Sequence, residues 1–197
     1  MTTLADIRDR IRIDLDDTAA ERWDDETLDR HIARALRDID NAIPREASAL
    51  VATTAGSRDI DIAHLATLIQ VETVEYPVGR HPPEYVRFDR WDTLLTLDTA
   101  APPAGDDARI FYTAGHELDE VGTTLPAHLE DVLATGAAAY AVLERVPGTL
   151  NTLTAGGPAV PAEFASLGRA WMSAFRELLR HHGRANRVRS RRLSTPA

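Results

Sequence analysis

The spacing of apolar residues changes twice along this 197-residue chain. No short motif constrains the fold as strongly. Leu4, Ile7, Ile11 and Leu15 form one helical stripe, and Leu28, Ile32, Leu36, Ile39 and Ile43 form a second. Between about residues 49 and 118 the period falls to two. Ile60 and Ile62 alternate with Asp59 and Asp61, and Val86 and Phe88 with Tyr85, Arg87 and Asp89. Residues 68–78 read as a Val-, Ile- and Tyr-rich strand stopped by Gly79. Leu94, Leu95 and Leu97 fit a further strand, and Ile110 and Tyr112 alternate with Phe111 and Thr113. Four to six short strands are expected. Beyond Leu118 the helical period returns in Leu129, Val132, Leu133, Ala137, Tyr140 and Leu143, then in Phe164, Leu167, Trp171, Phe175, Leu178 and His182.

Local signals set the helix ends. Thr3 and Asp6 have capping-box spacing for a helix over residues 4–15. Asp24 is a cap, Asp25 and Glu26 suit the positive end of the helix dipole, and Trp23 and Leu28 fit a hydrophobic staple. Pro44 ends that helix. Thr124 is read as the cap of the third helix, with Pro126 in its first turn and Pro147-Gly148 as its stop. The small run Gly136-Ala137-Ala138-Ala139 allows another element to approach closely. Residues 151–159 read as a Gly/Thr-rich loop, and Pro161 opens a last helix reaching about Gly183 or beyond.

The fold class expected from these signals is α+β, mostly α: a helical bundle of about four helices, with a small β module inserted between helices 2 and 3 and a long C-terminal helix. The expected divisions are 1–48 for the N-terminal helical pair, 49–120 for the inserted β module, 121–183 for the C-terminal helices, and 184–197 for an Arg-rich tail. A chain of this length buries a sufficient core without disulfides, and cysteine is absent. No apolar run approaches a membrane span, and no secretory segment opens the sequence, so a soluble protein made in the cytoplasm is expected.

Charge is divided unevenly. The net formal charge is −9, and all 22 basic residues are Arg. Residues 176–197 hold seven Arg and one Glu, a net of +6, which leaves −15 on the other 175 residues. That pattern does not suit a general nucleic-acid binder, whose cations cover a folded face. It suits a tail that seeks an acidic surface on another copy or a partner. Arg180, Arg184, Arg187, Arg189, Arg191 and Arg192 are the candidate partner-binding residues.

Chemical motifs give no comparable signal. A P-loop needs Lys, which is missing, and there is no GxSxG or HExxH. His181 and His182 are adjacent and diverge on a helix, and a loop separates His116-Glu117 from His128. No catalytic residue, metal site or cofactor is expected.

One segment resembles a known family. Trp23-Asp24-Asp25-Glu26-Thr27-Leu28, continuing through Ile32, Ala35, Leu36 and Ile39, is similar to the second helix of head–tail connector (adaptor) proteins of tailed bacteriophages. Thr124-Leu125-Pro126 followed by Gly136-Ala137-Ala138-Ala139-Tyr140 is similar to their third helix, and a long basic last helix completes the likeness over roughly residues 1–45 and 120–190. The resemblance implies a virion protein that forms a ring of about twelve copies on the portal. Such a ring extends the DNA channel and offers the tail a platform. Its partners would be the portal, neighbouring copies and tail or neck proteins, with channel DNA nearby but not gripped, and no membrane. Alternatives from the same reading are another neck or tail-completion component, a small enzyme with an unrecognised carboxylate site, and a DNA-binding regulator.

Overall fold

The computed structural model describes residues 2–151 and 159–187, with side chains over 2–145 and 165–183. The elements run α1 (Leu4–Asp14), α2 (Asp25–Ala42), β1 (Arg45–Ala52), β2 (Asp59–Asp61), β3 (Leu68–Glu75), β4 (Tyr85–Trp91), β5 (Leu94–Asp98), β6 (Asp107–Ala114), α3 (Ala127–Asn151) and α4 (Ala159–Arg187). They divide into two compact units. One comprises the chain up to Ile43 and from His116 onward; the other is Pro44–Gly115.

In the helical unit the expected caps form. Thr3 Oγ1 accepts from the Asp6 N–H, and the Asp6 carboxylate accepts from the Thr3 N–H at 2.8 Å. Asp24 accepts from the Thr27 N–H at 2.8 Å. Trp23 and Leu28 are both buried, as a staple requires. One core then joins Ile7 and Ile11 of α1, Leu28, Ile32 and Ile39 of α2, Leu129 and Leu133 of α3, and Met172 and Phe175 of α4. The small run on α3 is where α4 comes closest. A Cβ on Gly136 would stand 2.6 Å from the Phe175 ring, and one on Gly168 would stand 2.8 Å from Leu143.

A buried polar knot fixes the turn from α1 to α2. Asp17 accepts backbone N–H bonds from Glu21, Arg22 and Trp23 at 3.0 Å each. Arg12 is buried with it, donating to the Trp23 carbonyl at 2.8 Å and to Asp25 at 2.6 Å. Burial opposes the Asp17 carboxylate, but the three N–H donors and Arg12 outweigh it and hold its pKa below the ordinary value.

Two helix signals resolve differently from the sequence reading. Thr124 does not cap α3; its hydroxyl accepts from the Glu117 N–H at 2.9 Å, and Thr123 accepts from the Leu125 N–H at 3.0 Å. The Pro126 carbonyl accepts the first turn's bond, from the Leu129 N–H. α3 also passes through Pro147 and Gly148 to Asn151. Proline deletes one helical hydrogen bond, yet its φ remains helical, so a helix anchored upstream can continue past it. The predicted loop falls mostly on residues 152–158, outside the described residues.

The expected mostly-α bundle with a small β module is corrected by the second unit. It is a six-stranded antiparallel sheet in the order β1-β6-β3-β4-β5-β2, with its own core. All six strands feed that core: Ala49 and Val51 from β1, Ile60 from β2, Val71 and Val74 from β3, Val86 and Phe88 from β4, Leu95 and Leu97 from β5, Ile110 from β6. Since both edge strands reach one cluster, the sheet curls around it. Register shifts between Leu68 and Gln70 and between Val71 and Thr73 supply local bends. The underestimate comes from β1. Arg45-Glu46-Ala47-Ser48-Ala49-Leu50 lacks β-branched and aromatic residues, and Val51 is the one β-branched residue in β1, so little local marks a strand. Unbroken pairing with β6 over eight residues makes it one.

Gly136→Ala should destabilise the protein by about 1–3 kcal/mol through overpacking, read by urea denaturation. Phe175→Leu in the same chain should recover part of that loss. Asp17→Asn should cost about 2 kcal/mol near neutral pH. Because the folded pKa of Asp17 lies below its unfolded value, this contribution is full above the ordinary carboxylate pKa and vanishes as pH falls through the folded value. Denaturation curves of wild type and Asp17→Asn should therefore converge in acid.

Candidate interaction surfaces

With no Lys in the chain, Arg carries every fixed positive side-chain charge, and its placement is informative. In α1–α3 most arginines are committed inside the unit. Arg8 joins α1 to Asp29 at 2.7 Å and to Glu120 beyond the sheet insertion. Arg10 reaches Asp131 of α3 at 2.7 Å. Arg30 and His31 both meet Glu144, each at 2.6 Å. Arg34 lies over the Tyr140 ring at 4.0 Å, and Arg145 over Trp23 at 5.1 Å. These groups clamp one helix to another.

α4 differs. Its apolar side packs on α3, while Arg169, Arg176 and Arg180 are exposed. At 100° per residue, positions 169, 176, 180 and 187 fall within about 40° of one another, with 184 about 40° further on. Among the described residues Arg180 pairs with Glu177, on its own helix. Arg184 and Arg187 belong to the helical backbone of α4, and their side chains lie outside the described set. Arg189, Arg191 and Arg192 fall outside the described residues. Of the six candidates, then, three share one continuous helix.

Other titratable groups serve local structure. Asp40 accepts from the His116 N–H at 2.8 Å, and His116 Nε2 lies 3.1 Å from the Ile43 carbonyl. Burial raises the Asp40 pKa above the ordinary carboxylate value. Tyr140 donates to Asp38 at 2.5 Å, and burial with that neighbour raises its pKa. The fold also joins two histidines that sequence spacing did not connect: the His128 and His182 rings are 5.2 Å apart. Burial, then His128 and His181, lower the His182 pKa. Among the described residues no group of three or more His, Asp or Glu is placed to hold a metal ion.

The sheet unit presents a surface that the sequence reading missed. Its outer face bears Leu50 at 59% exposure, Tyr85 at 47% and Trp91 at 86%. Tyr85 meets Phe111 edge-on at 6.4 Å, and Trp91 stands opposite Leu94 across the β4–β5 hairpin. Period-two alternation contains the signal: Tyr85, Arg87, Asp89 and Trp91 share a face opposite Val86 and Phe88. Trp91 is the most exposed large apolar residue among those described, on a face that also bears Leu50, Tyr85 and Leu94.

No family model matches the chain, nor does any curated protein sequence. No helix among the described residues is long and apolar enough to cross a membrane.

Trp91→Ala should leave the denaturation midpoint within about 0.5 kcal/mol of wild type, because its ring packs on almost nothing. The same substitution at buried Trp23 should cost about 3–5 kcal/mol.

Proposed function

We propose that this chain is a structural virion protein, a head–tail connector that assembles as a ring of about twelve copies, docks on the portal, extends the DNA channel and offers the tail its platform. Support comes first from the allocation of arginine. Inside the helical unit Arg clamps helices together, whereas α4 carries a row of outward cations that leads into the Arg-rich end of the sequence. A structural clamp needs neither the row nor its continuation; a docking helix needs both.

The acidic remainder of the chain fits a channel wall. Phosphates are held by Lys and Arg and repelled by carboxylates, so a predominantly acidic lining lets DNA slide. In this reading α1–α4 build the ring wall, and Arg180, Arg184, Arg187, Arg189, Arg191 and Arg192 meet an acidic surface of the portal. The sheet unit, with its exposed Trp91, faces tail or neck proteins. The protein is made in the host cytoplasm and ends at the head–tail interface.

Truncation after Gly183 keeps the position where α4 meets the Ala42 carbonyl, 3.1 Å from a Cβ built on Gly183. The shortened chain should fold with an unchanged circular dichroism spectrum and lose capture by portal assemblies at moderate salt. Retained capture would sink the docking role of the tail.

A further inference from the structure

Two exposed rows of opposite charge have no ion-pair partner among the described residues of the helical unit. On α4, Arg169 and Arg176 stand two turns apart with Ser173 between them, all exposed. On α1 and just past its end, Asp9 and Asp16 stand seven residues apart, and both are exposed. Between them in sequence Ile13 is 68% exposed, and on the wheel of α1 it falls within about 40° of Asp9 and Asp6. Arg169 and Arg176 stand seven helical residues apart, about 10.5 Å along α4, while Asp16 lies two residues past the end of α1 in left-handed backbone, φ 50°. Each row has its middle residue four positions after the first charge and three before the second. No ion pair joins the rows within one copy. Both helices pack on α3, and each shows its charged row on the side away from the core.

We infer that the α4 row of one copy docks on the α1 row of a second copy, Arg169 and Arg176 meeting Asp9 and Asp16 with Ile13 covered between them. This deepens the ring reading above and rests on it. The contact is heterologous, since one face meets a different face, and repetition of such a contact closes a ring when the rotation allows. It uses arginines N-terminal to those assigned to the portal, so one α4 can serve both neighbours. Among the described residues neither Arg169 nor Arg176 has an acidic partner. Ile13 gives the contact an apolar centre that charge alone would lack.

The absence of cysteine makes the test direct. Ile13→Cys and Ser173→Cys in one chain should give a ladder of oxidised multimers at low ionic strength. Either substitution alone should give dimers at most. The ladder should fade in 1 M salt, where charges are screened beyond about 3 Å. Arg169→Glu with Arg176→Glu, built on the double-cysteine chain, should abolish the ladder, and so should Asp9→Arg with Asp16→Arg. An equal mixture of those two reversed chains should restore it, because every contact in an alternating assembly is again complementary. Asp16 has a left-handed backbone, φ 50°, so Asp9→Arg with Arg169→Glu repeats the cycle without disturbing it. Matching melting curves establish that each variant folds. The inference is overturned if the double-cysteine chain gives no ladder, or if charge reversal leaves the ladder unchanged. Rings on the portal without the cross-link would remove this interface and keep the connector; cross-linking by a chain never found in particles would keep the interface and remove the connector.

Discussion

The close approach of α3 and α4 is the contact on which the exposed surface of the helical unit depends. Gly136 has no Cβ, and the Phe175 ring occupies the space one would take. Gly168 does the same for Leu143 in the opposite direction, so each helix carries a notch for a large side chain of the other. Paired notches fix both rotation and axial position, because a slide or turn of α4 drives a ring into a backbone. With Phe175 buried and Met172 beside it, the opposite shoulder of α4 must face outward. Arg169, Arg176 and Arg180 are displayed there as a consequence of packing on the other side.

Arginine divides into two physical roles under a single residue type. Its planar fork suits fixed multi-partner sites, and Arg8 and Arg12 each make such contacts. Arg12 and Asp17 are both buried, so their charges are desolvated and must keep their partners. Arg169, Arg176 and Arg180 of α4 remain hydrated, and little energy is committed to holding them in place. Burial therefore separates the charges that fix the fold from those free to meet another molecule, although composition alone treats them as one set.

Elements whose cause is local were legible in the sequence. Thr3 and Asp6, and Asp24 with its staple, form caps as their spacing demands, because a cap involves only residues a turn apart. Five of the six strands coincide with stretches marked by alternation or by Val, Ile, Tyr and Leu content. β1 was hidden, since its Ala, Ser and Glu are strand residues only through β6, some sixty positions later. Thr124 looked like a cap because residue type shows that an oxygen can accept, while the fold decides from where; Glu117 reached it first. The surface was half legible. Arg spacing on α4 could be read directly, but the row on α1 gains meaning only once Ile7 and Ile11 are known to be buried and Ile13 is left outside.

The two edges of the sheet sharpen the contrast between surfaces that repel and surfaces that accept. β2 is three residues long and carries Asp59 and Asp61, a short charged edge of the kind that discourages pairing. β1 is eight residues long, pairs without a bulge, and from Ala47 to Ala52 bears no charge. Its outward Leu50 lies on the same sheet face as the Tyr85–Phe111 ring pair. Unprotected backbone and apolar side chains act over short range and bind only after surfaces have met. The rows on α1 and α4 act over a Debye length, about 8 Å at physiological salt, and each exposed pair contributes at most about 1 kcal/mol. In the ring proposed above, such weak, reversible contacts would correct register before shorter-range surfaces engage, and closure would then multiply small energies into a stable whole.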